Sequence, residues 1–594
     1  MADQLNPVGT VVSNINTATS VSLSIEFPSY SHAVVYPSFE KIAELAAEVT
    51  DFNIFGGADE TLIEQLRQIV NREPLAPIFE QEKELVWERR IDCREHFPHA
   101  LAKLLCCVKW NSNKDVALMQ ILLQTWPRLD PEQALELLDF TYADQEVRKI
   151  AVQCIEKMSD REISQYLLQL VQVLKYESYL DNDLAEFLLK RALKNQHFGH
   201  QLFWFLRAEM DNPEVSVRFG LMLEAYCRGA PSHMKSLQRQ AHALNKMKAV
   251  TELLQLIDRE KKEKGLLTMK DLFRQKTYQG ALSKVSSPLD PSYKLRHLKV
   301  EQCKFMDSKM RPLYLVFENL DELGDLVRII FKNGDDLRQD MLTLQLFKIM
   351  DRIWQNEGLD LGMIPYGCLS TGSSIGMIEV VHDAETIAKL QKNKGVAATF
   401  AKNCIWDWLK EYHATEESLI EAVRRFTLSC AGYCVATYVL GVGDRHSDNI
   451  MVKKTGQLFH IDFSHILGNF ISNFGVRRER VPFVLTDHFV HVISEGKGKD
   501  TVEFEKFKQL CERAFLILRR KGPLLINLFV MMLSAGLPEL RSLDDIGYLR
   551  KTLVLSLSEE DAIKDFKKKF DHAINNSFST SMNWFAHNVK RDNP

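Results

Sequence analysis

The sequence predicts a multidomain chain of two architectures in series, all-α followed by α+β. Three observations predict it. The chain has 594 residues, too many for a single hydrophobic core. From residue 37 to about 230, apolar side chains recur at helical spacing, with helix-start signals between the runs. From about residue 291 short apolar strands appear, and after Thr386 the helical pattern returns. The expected arrangement is a helical solenoid ahead of a domain of two lobes, one β-rich and one helical, with a crevice between them.

The elements support this in order. In residues 1–36, Ser22 to Phe27 alternates polar and apolar, the pattern of a half-buried strand. Ser159 and Glu162 have the spacing of a capping box, in which each side chain serves a first-turn amide. After them Ile163, Leu167, Leu170, Val171 and Leu174 recur at helical spacing. Asp130-Pro131 starts another helix, with proline where no N–H is needed. Short helix pairs of this kind stack into a right-handed solenoid. Residues 231–290 read as polar helices, and the run Glu260 to Lys264 as a solvated face. Leu313–Phe317, Val327–Phe331 and Ile375–Val381 are the strands of the β-rich lobe. Leu524 to Leu537 is apolar but falls short of the ~20 residues that span a bilayer, so it reads as a buried helix.

Composition narrows the class. The formal charge is −4, so no general basicity suggests a nucleic-acid partner, and any affinity for anionic lipid must come from local patches. The 11 cysteines, Cys106-Cys107 among them, form no ladder and no CxxC pair. They read as reduced thiols of a cytoplasmic protein. Met1 to Thr10 lacks the basic and apolar regions of a signal peptide.

The chemistry concentrates in two stretches, Gly443-Asp444-Arg445-His446-Ser447-Asp448-Asn449-Ile450-Met451 and Leu458-Phe459-His460-Ile461-Asp462-Phe463-Ser464-His465-Ile466. The first sets an acid and an amide carbonyl five residues apart. The second ends an apolar strand on a carboxylate thirteen residues beyond the amide. Asn449 and Asp462 are hard oxygen ligands of the kind that suits Mg²⁺. Phosphoryl transfer from ATP needs that metal, a cation on the phosphates and a group to orient the attacking hydroxyl. Lys332 ends an apolar strand, so its ammonium would point from the sheet into the crevice. Asp444 and His446 are candidates to orient or deprotonate the hydroxyl, and a histidine can relay a proton near neutral pH. Arg445 reads as structural, pairing with a carboxylate. The triplet runs Asp-Arg-His, the reverse of the protein-kinase order.

This wording, GVGDRHSDNIMVKKTGQLFHIDF, resembles the phosphoinositide 3-kinase superfamily and is similar to class I catalytic subunits, the beta isoform in particular. Phe331 to Asp340 (FKNGDDLRQD), Thr427 to Tyr433, Arg478 to Phe483 and Leu167 to Tyr176 match the same family. The resemblance implies the end of a C2 domain over 1–36, a helical accessory domain over 37–230 and a catalytic domain over 231–594. Within the last, the N-lobe covers about 291–383 and the C-lobe about 384–594. It implies that the adaptor-binding domain, the Ras-binding domain and most of C2 lie outside this sequence.

The implied activity is ATP- and Mg²⁺-dependent phosphorylation of the inositol 3-hydroxyl of phosphatidylinositol lipids, with phosphatidylinositol 4,5-bisphosphate the expected substrate, at the membrane and downstream of receptors. The protein would be recruited peripherally to the plasma or endosomal membrane. The implied nucleotide residues are Ser308 in the loop Met306 to Pro312, Lys332, Asp340, Tyr366, Glu379, Val381, Met451, Ile461 and Asp462. Tyr314 stands where the family usually has tryptophan beside the adenine. Glu80 and Gln81 align with an acidic surface that meets an SH2 domain of the regulatory subunit. On residues alone, the acids there complement a helix dipole. Trp584, with Lys590 and Arg591, is expected on an interfacial helix at anionic membrane.

The activation loop, Asp462 to about Thr486, departs from the family twice. Ser464 replaces a glycine, with an expected cost of ~1 kcal/mol if the position needs glycine's backbone freedom. Ile471-Ser472-Asn473 replaces a basic box, while Arg477, Arg478 and Arg480 remain to contact ring phosphates. These departures motivate a second reading, a catalytically weak interaction scaffold. A third is a protein serine/threonine kinase, since related large kinases share the Asp-Arg-His order.

Overall fold

The computed structural model describes residues 37–48, 59–392, 402–470, 472–473, 476–477, 481–577, 580–582 and 584. They divide into two units. The smaller comprises residues up to 51 with 109–124. In it, Ile42 and Ala46 of the helix Phe39–Ala47 pack on Ala117 of the helix Asn113–Thr125, and Lys114 pairs with Glu48 at 3.0 Å.

The larger unit opens with the helical repeats. The Ser159 capping box forms: Glu162 N–H donates to Ser159 Oγ at 3.3 Å and Ser159 N–H to Glu162 Oε2 at 2.8 Å. The helix it starts, Asp160–Ile163, is a single turn. The apolar run continues as a second helix, Leu167–Val173, and a short 3₁₀ turn, Leu174–Tyr176. Periodicity predicted one buried face, yet Leu167–Val173 is buried all round, Gln169 and Gln172 included. The cause is tertiary, because the catalytic domain covers the other face: Gln169 Nε2 donates to Gln345 Oε1 at 2.9 Å.

Arg148 ties the repeats together. Its Nε meets Glu177 Oε1 at 2.7 Å, and its other nitrogens donate to the carbonyls of Asp139, Tyr142 and Val173. Both side chains of the pair are buried. Such a pair contributes little net stability, but removing one partner strands a buried charge.

The β-rich lobe is a mixed-order antiparallel sheet. Its strands are β1 (Val285–Ser286), β2 (Lys294–Leu298), β3 (Lys304–Phe305), β4 (Leu313–Asn319), β5 (Val327–Asn333), β6 (Cys368–Gly372) and β7 (Ile375–Glu379). The order is β1-β2-β4-β5-β7-β6, with β3 on β4. Period-two alternation decides what each face does. Leu313, Leu315, Phe317, Ile329 and Phe331 enter the core. Arg328, Ile330 and Lys332 face the cleft. The polar helices Pro231–Gln255 and Lys262–Arg274 cover the core face through Leu244, Met247, Val250, Leu254, Met269 and Phe273. They are therefore half-buried supports of the lobe.

The helical lobe is built on Glu416–Leu440, which is buried along most of its length. Gly441 ends it at φ 60°, where a Cβ would lie 2.4 Å from Gly468 N and from the Tyr548 ring. Both the left-handed backbone and the close approach require glycine there. The predicted apolar helix exists as Gly522–Val530 and is buried. Among the described residues no helix is long and apolar enough to cross a membrane. A small sheet of β8 (Ala384–Thr386), β9 (Ile450–Lys453) and β10 (Leu458–His460) carries the two catalytic stretches.

One joint between repeats and sheet is titratable. His200, on the helix Gln196–Ala208, is 2% exposed. Its Nε2–H donates to Pro288 O at 2.8 Å, and its Nδ1 has no hydrogen-bond partner. Burial pushes its pKa down to about 4, against the Pro288 carbonyl and Asp290 and with help from nearby His233. Above the ordinary value near 6.5 the ring is neutral folded or unfolded. As pH falls from there towards 4, the unfolded chain takes up a proton that the folded chain refuses. Stability worth roughly 3 kcal/mol is lost across that window. We expect His200→Gln, which keeps a donor for Pro288, to flatten the fall in thermal midpoint between pH 6.5 and 4. An unchanged slope would count against this assignment.

Candidate active site

The sheet and the helical lobe enclose a cleft of about 1580 Å³. Hairpin geometry explains how thirteen residues of separation bring the two motif ends together. β9 and β10 pair antiparallel with Ile450 opposite His460 and Met451 opposite Phe459. The residues flanking the hairpin, Asn449 and Ile461, are then neighbours, and Ile461 N–H donates to Asn449 O at 2.9 Å. Asn449 Nδ2 donates to Asp444 O at 2.9 Å. The amide nitrogen is thereby committed, which leaves Oδ1 as the end that could serve a ligand. Both residues line the cleft.

Arg445 is the mechanical centre of this arrangement. Its Nε donates to Gly443 O and one terminal nitrogen to Ile461 O, both at 2.7 Å; the other reaches Asp462 O. The guanidinium lies 5.5 Å from the Phe463 ring centroid. One buried cation thus clamps the loop at Gly443 to the turn at Asp462 through backbone carbonyls. The turn is strained: Asp444, Asp462 and Leu467 have φ of 54°, 60° and 53°. Aspartate tolerates that region better than most residues, and such strain concentrates at functional sites. Ser464 is not among the residues with positive φ. The cost expected for a missing glycine therefore does not arise in this conformation, because the left-handed turn falls on Asp462 instead.

His446 lines the cleft, and its Nε2 is 3.7 Å from Asp444 Oδ2. Its Nδ1 accepts the Asp448 N–H at 3.2 Å. A neutral ring that accepts at Nδ1 carries its proton on Nε2, towards Asp444. Asp340, in the first turn of the helix Arg338–Asn356, accepts the Phe463 N–H at 3.0 Å. Burial, with Asp462 adding to it, pushes its carboxyl up to about 6, against Phe463 N–H, Lys332 and Arg445. Lys332 Nζ reaches into the cleft, 3.3 Å from Asp335.

Most residues expected from the sequence meet here. Lys332, Asp340, Tyr366, Glu379, Val381, His446, Asn449, Met451, Ile461 and Asp462 all line the cleft, as does Tyr314. The Glu379 carboxylate accepts Gly367 N–H at 2.7 Å. Ser308 is not among the lining residues, whereas its neighbours Met306 and Asp307 are. The loop is closed by Met306 N–H to Pro312 O at 2.8 Å. It is shaped by Arg311, whose buried guanidinium pairs with Asp307 at 2.7 Å beside the Phe305 ring.

Sequence reasoning missed Lys262. Read as part of a solvated face, it lines the cleft and approaches Asp307 at 3.4 Å. Nothing in a mixed charge run distinguishes it, since the packing of its helix on the sheet selects it.

Trp584 is a correction. Its indole is 1% exposed, stacks on His488 at 4° and donates to Arg445 O at 3.2 Å. A side chain enclosed against the catalytic loop presents no surface to a membrane. The rest of that segment, with Lys590 and Arg591, lies outside the described residues. So do Ile471, Arg478 and Arg480 and the side chains of Ser472, Asn473 and Arg477, of which only a backbone hairpin, Ser472–Asn473 with Val476–Arg477, is described. Glu80 and Gln81 are exposed at the start of the helix Glu80–Glu88, with Glu80 2.7 Å from Lys83. Glu82 instead turns to Arg72 at 2.6 Å.

Among the described residues no cluster of three or more His, Cys, Asp or Glu side chains could hold a metal ion. Asn449 and Asp462 nonetheless fit Mg²⁺, which keeps waters and takes one or two protein ligands together with substrate phosphates.

Comparison with known proteins agrees with this architecture. Residues 57–239 match the phosphoinositide 3-kinase family accessory domain (PIK domain), and residues 326–542 match the phosphatidylinositol 3- and 4-kinase domain. The chain is 40% identical over 594 residues to phosphatidylinositol 3-kinase 1 of Dictyostelium discoideum, covering 99% of this chain and 37% of that protein. It is 39% identical over 606 residues to phosphatidylinositol 3-kinase 2 of the same organism, covering 96% and 32%. The chain therefore spans about a third of the length of these curated relatives. Residues 57–239 and 326–542 are thus similar to the accessory and kinase domains of the phosphoinositide 3-kinase family.

Proposed function

We propose that this chain transfers the terminal phosphoryl group of ATP to the 3-hydroxyl of phosphatidylinositol lipids. The observation that carries the reading is the convergence of Lys332, Asp340, Asn449 and Asp462 on one cleft, with His446 and Asp444 beside them. Lys332 holds phosphate oxygens of the nucleotide. Asn449 Oδ1 and the Asp462 carboxylate would hold Mg²⁺, which neutralises phosphate charge when bound. His446 lines the cleft and Asp444 stands 3.7 Å from its Nε2, so the two together orient the hydroxyl and take up its proton.

We read the domain limits as 37–230 for the accessory part and 231–594 for the catalytic part, of class I type and nearest in wording to the beta isoform. Arg477, Arg478 and Arg480 take a ring phosphate of the lipid. With Ile471 and Asn473 in place of cations, the preference among phosphatidylinositol, its 4-phosphate and its 4,5-bisphosphate should be narrower than in class I relatives. Exposed Glu80 and Gln81 suit the basic side chains of a regulatory SH2 domain.

The test is transfer of labelled phosphate from ATP to vesicles containing each of the three lipids. The proposal expects transfer to all three, with rates within about tenfold, the worth of one charge-assisted contact. ATP binding without transfer to any lipid or protein acceptor would favour the scaffold reading. Transfer to a protein acceptor alone would favour a protein kinase.

A further inference from the structure

The loop after the helix Gly522–Val530 touches three parts of the molecule in ten residues. At Ser534 it meets the helical repeats: Lys175 Nζ donates to Ser534 O at 3.1 Å and Ser534 Oγ donates to Gln172 O at 3.3 Å. Lys175 is itself held, 3.1 Å from Glu209 Oε2, with Gln172 Nε2 donating to the other oxygen of Glu209 at 2.9 Å. One residue on, Arg338 donates to Ala535 O at 2.7 Å. At Glu539 the loop meets the segment that follows the metal-binding turn. Glu539 Oε1 accepts His465 Nδ1–H at 2.8 Å, and Oε2 accepts Ile466 N–H at 2.5 Å and Gln339 Nε2–H at 3.2 Å. The Gln339 amide nitrogen also donates to Phe463 O at 3.1 Å and Ser464 O at 2.7 Å.

Phe463 to Ile466 is thus held by side chains whose carriers are themselves fixed elsewhere. A carboxylate is required at 539 because three N–H donors converge on it. An amide there would offer one acceptor and place a donor against donors. The five steps along the chain from Ser534 to Glu539 span at most ~18 Å, so displacement at one end is felt at the other.

We propose that this loop is a strut through which the accessory helices fix the start of the activation segment, and that Glu539 is a positioning residue for phosphoryl transfer. The inference rests on the kinase reading for its catalytic consequence and on the structure alone for the anchoring. Glu539 acts by holding His465 and the Ile466 amide, three and four residues beyond Asp462, so that the metal-binding turn keeps its left-handed geometry. Lys175 acts on the same segment from the far end.

The test uses the full chain and two readouts. Hydrogen exchange of the amides in 463–468 measures anchoring without reference to activity. Glu539→Gln should speed it by about tenfold or more, Glu539→Asp less, and Lys175→Met by about threefold. Steady-state kinetics measures the consequence. Glu539→Gln should lower kcat by about thirtyfold with KM for ATP within about threefold, and Glu539→Asp should restore part of it. The double variant Glu539→Gln with Lys175→Met should be no slower than Glu539→Gln alone, as expected of residues acting through one element. Unchanged exchange in Glu539→Gln would overturn the proposal, and multiplying effects in the double variant would overturn the strut. If Glu539→Gln does not fold, Glu539→Asp and Lys175→Met carry the same comparison. If the parent chain phosphorylates no lipid, the lipid reading fails separately, and the exchange result still decides the strut.

Discussion

Asp462→Asn should reduce phosphoryl transfer by ~1000-fold or more, about 4 kcal/mol of transition-state stabilisation. The substitution keeps shape and removes the one carboxylate assigned to the metal. Asp462 sits at φ 60°, a conformation that asparagine also tolerates. The turn clamped by Arg445 should therefore persist, and the thermal midpoint should move by no more than ~2 °C. Loss of the neighbouring charge should also let the buried Asp340 carboxyl, now raised to about 6, titrate lower. Turnover and a melting curve on the same preparation check this. Substantial retained activity would remove Asp462 from the site.

Lys332→Arg should lower turnover by ~100-fold while vesicle binding stays at the parent level. Lys332 is the cleft-facing residue at the end of β5, with Phe331 in the core on one side of it and Gly376 opposite on β7. Its ammonium can reach phosphate oxygens as a compact point charge. A guanidinium is planar and wider, and its fork would compete for Asp335, now 3.3 Å from the ammonium. Stopped assays of phosphate transfer and co-sedimentation with lipid separate the two effects. Turnover within a few-fold of the parent would show that Lys332 does not hold the phosphates.

Much of the site was legible in the chain because its parts are local. The Asn449 to Asp462 spacing is a hairpin, and a hairpin's register follows from the apolar residues Ile450, Val452, Leu458 and Phe459 that flank its turn. Lys332 was legible as the cation that ends the apolar strand Val327–Phe331. The capping box at Ser159 formed because all its groups lie within four residues. What failed was non-local. Trp584 carries the amphipathic signature of a membrane-facing aromatic, yet the contact of its indole with His488 and Arg445 O, 96 and 139 residues away in sequence, buries it. Lys262 is exposed, as a solvated face expects, and only the packing of its helix beside the loop Met306 to Pro312 brings it to the cleft.

By itself, then, the sequence determined the order of the two architectures and the strands and helices that carry Lys332, Asn449 and Asp462. Those follow from periodicity, caps and side-chain chemistry within a few residues. Only the tertiary structure decided that Arg445 clamps backbone carbonyls, that the left-handed turn falls on Asp462 and spares Ser464, and that Glu539 reaches across 73 residues of sequence to hold Ile466. The physical reason is that these contacts are made by buried polar groups finding partners far along the chain. Burial requires that a partner exist, and only packing decides which one it is.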